Sequence, residues 1–436
     1  MKYDIVITNA KIMTMASGQP SIIEDGFIAV KDGEIFKIGP MPGNQSTLDA
    51  QRIIDGSRSL VMPGLINAHN HAPMSLFRGL ADDLPLMIWL QDHIFPAEAR
   101  HVTSEMAYWC AKLAAAEMIL SGTTTVADGY FFEEKVAEAF QEAGLRAIVA
   151  QGVIDFPAPG VPDPAKNIAH AEAFIADLQG KNPLITPAIF CHSPYTCSAA
   201  TLVSAKKMAR QQNVPFFIHV AETLFETNQA LEKFGKTPVA YLNDLDILDK
   251  DTFCVHCVHL APEDLNILKE TNARVITCPE SNMKLASGIA PVPEMIEKRI
   301  PVLLGTDGCS SNNNLDMFQE MDSCAKLHKV NCQDPTVLPA RSILEMATCL
   351  AAEAFGLGDT IGSLEQGKRA DMIIIDLDQP HLTPFYNADN LVYAASGSDV
   401  TMVIIDGQII MQDRKILSFD VQDAISKVNN LSKALG

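Results

Sequence analysis

His69 and His71 stand two residues apart in the stretch Pro63-Gly64-Leu65-Ile66-Asn67-Ala68-His69-Asn70-His71. His219 closes the apolar run Pro215-Phe216-Phe217-Ile218, and Glu222 follows three residues later. His256 comes after Cys254-Val255, and Asp307 after Val302-Leu303-Leu304-Gly305-Thr306. Each group follows a short apolar run, as expected of a side chain at the C-terminal end of a buried strand. Residues i and i+2 of a strand share a face, so His69 and His71 can address one ion. Three imidazoles (His69, His71, His219) and the Asp307 carboxylate, with water completing the shell, suit a catalytic Zn²⁺ or Fe²⁺. A glutamate in a desolvated pocket beside such an ion acquires a raised pKa and serves as a proton shuttle, which makes Glu222 a catalytic candidate. Asp307 can bind the ion and also take a proton from an attacking water. His256 is expected near that water or the substrate.

Blander readings exist for each group. A histidine after an apolar run is often a satisfied core residue, a glutamate after a strand is often on the surface, and Asp-Gly is often only a turn. The agreement of all four stretches outweighs them. Cys254-Val255-His256-Cys257-Val258-His259 resembles a soft zinc cluster, but no second Cys-x-x-Cys closes a tetrahedron. There is no Gly-rich phosphate loop after a strand and no Ser nucleophile elbow, so water is the nucleophile the chain offers.

The elements that must position these residues are legible. Tyr3 to Thr8, Lys11 to Met15, Phe27 to Lys31 and Ile35 to Gly39 are short β-rich runs, and Asp32-Gly33 is a hairpin signal. Ala370 to Leu377 and Val400 to Ile405 read the same way around Asp406-Gly407, and a last helix is expected from about Val421 to Leu435. Between these ends, strands are predicted at Val61 to Asn67, Thr123 to Asp128, Arg146 to Gly152, Leu184 to Cys191, Phe216 to Val220, Thr252 to Val255, Arg274 to Thr277 and Val302 to Gly305. Helices intervene; that over Ser104 to Ser121 is stopped by Gly122 and that over Phe132 to Ala143 by Gly144. Eight apolar strands alternating with helices predict an α/β fold, a (β/α)₈ barrel over residues 58–367. Residues 1–57 and 368–436 are expected to form a small composite β-sandwich. The segment from about Asp82 to Arg100 is expected to cover the site.

At 436 residues the chain can bury a large core, and its formal net charge of −20 argues against a nucleic-acid partner. No apolar run is long enough for a membrane span, and the start of the chain lacks a signal-peptide core. The ten cysteines lie largely in apolar stretches and read as buried thiols, so a reducing cytoplasm is the expected compartment. Helix-covered barrels often pair, so a homodimer or higher homo-oligomer is expected.

Taken together, the motifs resemble the amidohydrolase superfamily, in the branch that holds the aminohydrolases of 5′-methylthioadenosine, S-adenosylhomocysteine, guanine and chlorotriazines. The resemblance rests on the His-x-His stretch continuing through Ala72-Pro73-Met74-Ser75-Leu76-Phe77-Arg78-Gly79-Leu80, on His192-Ser193-Pro194-Tyr195, on Cys278-Pro279-Glu280-Ser281-Asn282, on Leu304-Gly305-Thr306-Asp307-Gly308 and on Gly367-Lys368-Arg369-Ala370-Asp371. It implies that His69, His71, His219 and Asp307 bind one divalent metal, usually zinc, with iron or manganese as alternatives. Members with two metals commonly bridge them with a modified lysine on the fourth strand; here that strand reads Ala188-Ile189-Phe190-Cys191-His192, which favours a single ion. By the same resemblance Glu222 protonates a ring nitrogen, His256 holds the water, and Asp307 passes its proton to leaving ammonia. Glu98 and His192 match substrate-facing positions of the adenosyl deaminases, Glu98 at the ribose hydroxyls. Gln151 stands where some of them carry an arginine for a carboxylate. The implied activity is hydrolytic deamination of an adenine nucleoside. The rivals are a hydrolase of another heterocycle (guanine, 8-oxoguanine, cytosine or a triazine) and a non-catalytic metal- or ligand-binding protein on the same scaffold.

Overall fold

The computed structural model describes residues 2–18, 22–43 and 48–435. Eight strands follow one another in space as in sequence: Leu65–Asn70, Thr123–Tyr130, Arg146–Val153, Ile185–Cys191, Phe216–Val220, Thr252–His256, Arg274–Thr277 and Val302–Leu304. The ladders from the third strand to the eighth are parallel. Helices lie between them, and the whole is a (β/α)₈ barrel. Every residue of the first, second and fifth strands is buried. That explains why these strands read as continuous apolar runs rather than alternating ones.

The first and last strands meet at their C-terminal ends. Asp307 N–H donates to the His69 carbonyl at 3.0 Å. The Asn67 amide donates to Thr306 Oγ1 at 2.7 Å, and its oxygen accepts the Thr306 N–H at 3.1 Å. Gly305 permits this approach, since a Cβ there would lie 2.7 Å from His69 N.

Among the described residues, a second, mixed sheet has nine strands, drawn from both ends of the chain. Its members run from Tyr3–Ile12 to Ser59–Pro63 and from Met372–Asp376 to Lys415–Ile416. Ser59–Pro63 pairs antiparallel with Met372–Asp376 and so joins the two ends. Ile7, Val61, Ile374 and Ile404 belong to the core beneath it. Asp32 and Gly33 have φ of 52° and 81°, and Asp406 and Gly407 of 52° and 74°, the left-handed pair that a two-residue hairpin turn requires.

Two expectations are corrected. Val61 to Asn67 is not one strand: Ser59–Pro63 belongs to the mixed sheet and Leu65–Asn70 to the barrel. Pro63 brings no donor to a ladder, and Gly64 lies so close to Thr124 that a Cβ would fall 2.0 Å from its Oγ1. Conversely, the two runs at Tyr3–Thr8 and Lys11–Met15 form one strand, Tyr3–Ile12, with an irregularity between Ile7 and Ala10 where Asn9 takes φ 58°. Strand Ala50–Asp55 was not foreseen.

Backbone packing divides the chain into two compact units. One holds the chain through Ile66, Ala116–Thr125 and Asp316–Asp420; the other holds Asn67–Ala115, Val126–Leu315 and the segment from Val421 onward. All the candidate site residues fall in the second. Among the described residues, no helix is long and apolar enough to cross a membrane.

The close approach at Gly305 yields a prediction. Gly305→Ala should destabilise the protein by about 1–3 kcal/mol through overpacking against His69, seen as a lower thermal unfolding midpoint; an unchanged midpoint would show that the strands can part without cost.

Candidate active site

His69 is the penultimate residue of the first barrel strand and His71 follows that strand directly; His219 lies in the fifth strand and Asp307 just after the eighth. One nitrogen or oxygen from each of these four buried residues lies within 4.8 Å of the others. His219 Nε2 is 3.3 Å from His69 Nε2, and Asp307 Oδ1 is 3.4 Å from His69 Nε2 and 3.3 Å from His71 Nε2.

The second atoms of His71 and Asp307 are tied down. His71 Nδ1–H donates to the Gly129 carbonyl at 2.5 Å, which turns the Nε2 lone pair inward. Asp307 Oδ2 accepts from the Ser281 and Ser311 hydroxyls at 2.8 and 2.9 Å, and Oδ1 accepts from Gly308 N–H at 2.8 Å. Burial lowers the His69 pKa to about 4, lowers that of His71, and drives that of His219 well below its ordinary value. Burial alone would raise Asp307, but the His69 hydrogen bond and the fields of His71, His69 and His256 hold its carboxyl well below the usual range. Neutral imidazoles and an ionised carboxylate are the protonation states in which these groups ligate a cation. The donor set fits one divalent ion of the zinc type: three nitrogens and an oxygen whose lone pairs would otherwise face one another in a desolvated space.

Glu222 and His256 stand beside this set. His256 Nδ1–H donates to Asn282 Oδ1 at 3.0 Å, and Nε2 lies 3.8 Å from Glu222 Oε2. Burial raises the Glu222 pKa. The Glu226 carboxylate accepts the N–H groups of both Ala221 and Glu222 at 2.9 Å, fixing the turn that presents Glu222. Ala221, His256 and Asp307 have φ of 52°, 73° and 60°. Left-handed backbone at three non-glycine positions, each at or beside a site residue, is strain held by the surrounding structure.

His71, His219, Glu222, His256 and Asp307 line a cavity of about 980 Å³, open solvent at its mouth included, and His69 lies just outside its wall. Glu98 and His192 line it too. Glu98 accepts a hydrogen bond from the Tyr130 hydroxyl at 2.5 Å, and burial pushes its carboxyl up to about 7. His192 Nδ1 lies 3.0 Å from Thr196 Oγ1, and burial holds its pKa down at about 3. Gln151 is not in the cavity wall: it is buried in the third barrel strand, and its amide donates to the Gly152 carbonyl at 3.2 Å. The segment Leu86–Ile88, Trp89–Ile94 and Phe95–His101 is almost continuously helical, with a wide π turn over Trp89–Ile94, and supplies one wall. Cys254 and Cys257 are buried free thiols. His259 Nε2–H donates to the Ser287 carbonyl at 2.6 Å, away from the ligand set.

Sequence reasoning gave no role to Tyr130, Asn282, Ser281 or Glu226. Ser281 and Asn282 sat in a motif already singled out. Tyr130 ends the second barrel strand, so the strand-end rule that found the histidines also applies to it. Glu226 lies one helical turn after Glu222, behind the N-cap Thr223, whose hydroxyl accepts the Glu226 N–H at 3.3 Å.

The model of the amidohydrolase family matches residues 60–410. The chain is 46% identical over 433 residues to a 5-methylthioadenosine/S-adenosylhomocysteine deaminase of Syntrophobacter fumaroxidans, covering 99% of this chain and 98% of the relative. It is 43% identical to a 5′-deoxyadenosine deaminase of Methanosarcina mazei, covering 99% and 98%. Among solved structures, an adenosine deaminase from Xanthomonas campestris with bound zinc superposes with a TM-score of 0.96 at 34% identity, over 100% of this chain and 99% of that one.

Two outcomes test the geometry. Protein loaded with zinc and desalted should retain about one ion per chain by elemental analysis, and His219→Ala or Asp307→Ala should lose most of it; full retention by both variants would place the ion elsewhere. Glu226→Ala should lower stability by about 2–4 kcal/mol, because two buried N–H groups lose their acceptor; an unchanged unfolding midpoint would contradict the role of Glu226 in the turn.

Proposed function

The chain belongs to the amidohydrolase family, and from that membership we propose that it is a metal-dependent hydrolytic deaminase of adenine nucleosides, converting them to the inosine form and ammonia. The observation that carries the reading is the convergence of four ligand atoms, a buried glutamate and a buried histidine beside one cavity. The names of the relatives supply the substrate class.

His69, His71, His219 and Asp307 would hold one divalent cation, zinc before iron or manganese. Such an ion, when bound, supplies Lewis acidity that brings the pKa of water toward neutrality. Glu222, whose pKa burial raises, donates a proton to the ring nitrogen next to the amino-bearing carbon. This makes the ring an electron sink as water oxygen bonds to that carbon. His256 has its Nδ1 proton committed to Asn282, so its Nε2 accepts from the attacking water and orients it. Asp307 takes the water's proton on its carboxylate and passes it to the amino group. The carbon–nitrogen bond then breaks and ammonia leaves; the added oxygen gives up its remaining proton through His256 Nε2, 3.8 Å from Glu222 Oε2, which restores the Glu222 acid as that oxygen becomes the keto group. Glu98, held by Tyr130, receives the ribose hydroxyls, and His192 packs beside the ribose.

Replacing Glu222 with Gln should lower kcat for ammonia release from adenosine by about 100-fold or more while bound metal stays constant. Retention of most activity would remove Glu222 from the proton path. The Glu98 carboxyl, pushed up to about 7, gives a signed pH dependence. It is protonated below that value and ionised above it, and only the ionised form accepts from both ribose hydroxyls. KM for adenosine should therefore fall roughly tenfold from about pH 6 to about pH 8, and Glu98→Gln should raise KM and flatten the profile. A flat profile in the unmodified enzyme would contradict this placement of the ribose.

A further inference from the structure

The cavity is polar at its floor and apolar at its outer wall. Starting from the ligand His219, the ring centroid of His192 is 5.2 Å away, that of Phe95 is 6.1 Å beyond His192, and that of Phe156 is 5.6 Å beyond Phe95. This aromatic path leads from the ligand set, past the residue assigned to the ribose, to Phe156, which is 37% exposed. Trp89, Ile94, Ile154 and Pro157 flank it. The charged residues of the lining are Glu98, Glu222 and Asp307; no lysine or arginine is among the described residues of the wall. Lys284, next to the lining residue Leu285, is engaged elsewhere. Its Nζ is 2.6 Å from Asp82 Oδ1 and also bonds to the Asn313 side chain.

Resting on the deaminase reading, we infer that this outer wall selects adenine nucleosides whose 5′ substituent is apolar and uncharged, and discriminates against those whose substituent ends in a carboxylate. A nucleoside with its base at the ligand set and its ribose at Glu98 sends its 5′ substituent along Phe95 and Phe156. An alkylthio or methyl group there loses water and gains apolar contact. A carboxylate there loses water, meets no cation, and enters a cavity whose only formal charges are acidic, in a chain of net charge −20. The discrimination is one of charge.

The test compares kcat/KM for ammonia release by the zinc-loaded enzyme on four compounds: 5′-methylthioadenosine, 5′-deoxyadenosine, S-adenosylhomocysteine, and the carboxyl methyl ester of S-adenosylhomocysteine. The first two should exceed S-adenosylhomocysteine by about 100-fold or more, and the ester should recover most of the difference. Phe156→Arg, which brings a cation to the rim, should narrow the gap between S-adenosylhomocysteine and 5′-methylthioadenosine by about tenfold. Equal turnover of the acid and 5′-methylthioadenosine would overturn the inference and leave the deaminase reading intact. So would an ester as slow as the acid, since length rather than charge would then be the obstacle. Failure of every adenine nucleoside would overturn the deaminase reading and this inference with it.

Discussion

Four buried lone-pair donors face one another, and much of the surrounding structure answers to that fact. Burial lowers the pKa values of His69, His71 and His219, and against burial the His69 hydrogen bond and the neighbouring imidazoles hold that of Asp307 well below its ordinary value. A cation resolves the repulsion that this arrangement would otherwise contain. The contacts outside the set then acquire a purpose. The Gly129 carbonyl fixes the His71 tautomer, and the Ser281 and Ser311 hydroxyls occupy the Asp307 oxygen that faces away from the imidazoles. The backbone bond from Asp307 to His69 sets the first and last strands in register where their ligands emerge.

The same end of the barrel carries backbone strain. Ala221, His256 and Asp307 hold left-handed conformations that non-glycine residues adopt at a cost of about 1–3 kcal/mol each. Below them, strand residues are buried and regularly paired, as in Phe216–Val220 against Thr252–His256. That rigid layer is what keeps the strained ends in place, and it aims Glu222 and His256 at one another across 3.8 Å. The cavity changes character outward from this point. Titratable groups give way to Phe95, Phe156 and their apolar neighbours, so chemistry and side-chain selection occupy different depths of the same space.

Much of this was legible in the chain because it is written locally. His69, His219, His256 and Asp307 each follow an apolar strand, and a strand end is a signal contained in about six residues. Glu98 carries no such local signature; His192 does directly follow the strand Ile185–Cys191, but both were assigned only through resemblance to a family. Asn282 and Tyr130 act on partners 26 and 32 residues away, and spacing in sequence gives no hint of such contacts. The break at Pro63-Gly64 was hidden for a related reason. Ser59–Pro63 is claimed by Met372–Asp376, whose pairing is set by the mixed sheet rather than by its own sequence. The wall over Leu86–His101 could not be placed because Leu86-Met87-Ile88-Trp89-Leu90 is apolar throughout and has neither the 3.6 nor the 2.0 period.

The central claim is that one ion sits among His69, His71, His219 and Asp307. Its most direct test is a crystal of zinc-loaded protein measured above and below the zinc absorption edge. The account predicts a single strong anomalous peak per chain, within bonding distance of these four side chains. A peak ligated by other residues, such as Cys254 and Cys257, with this set left bare in fully loaded crystals, would contradict it.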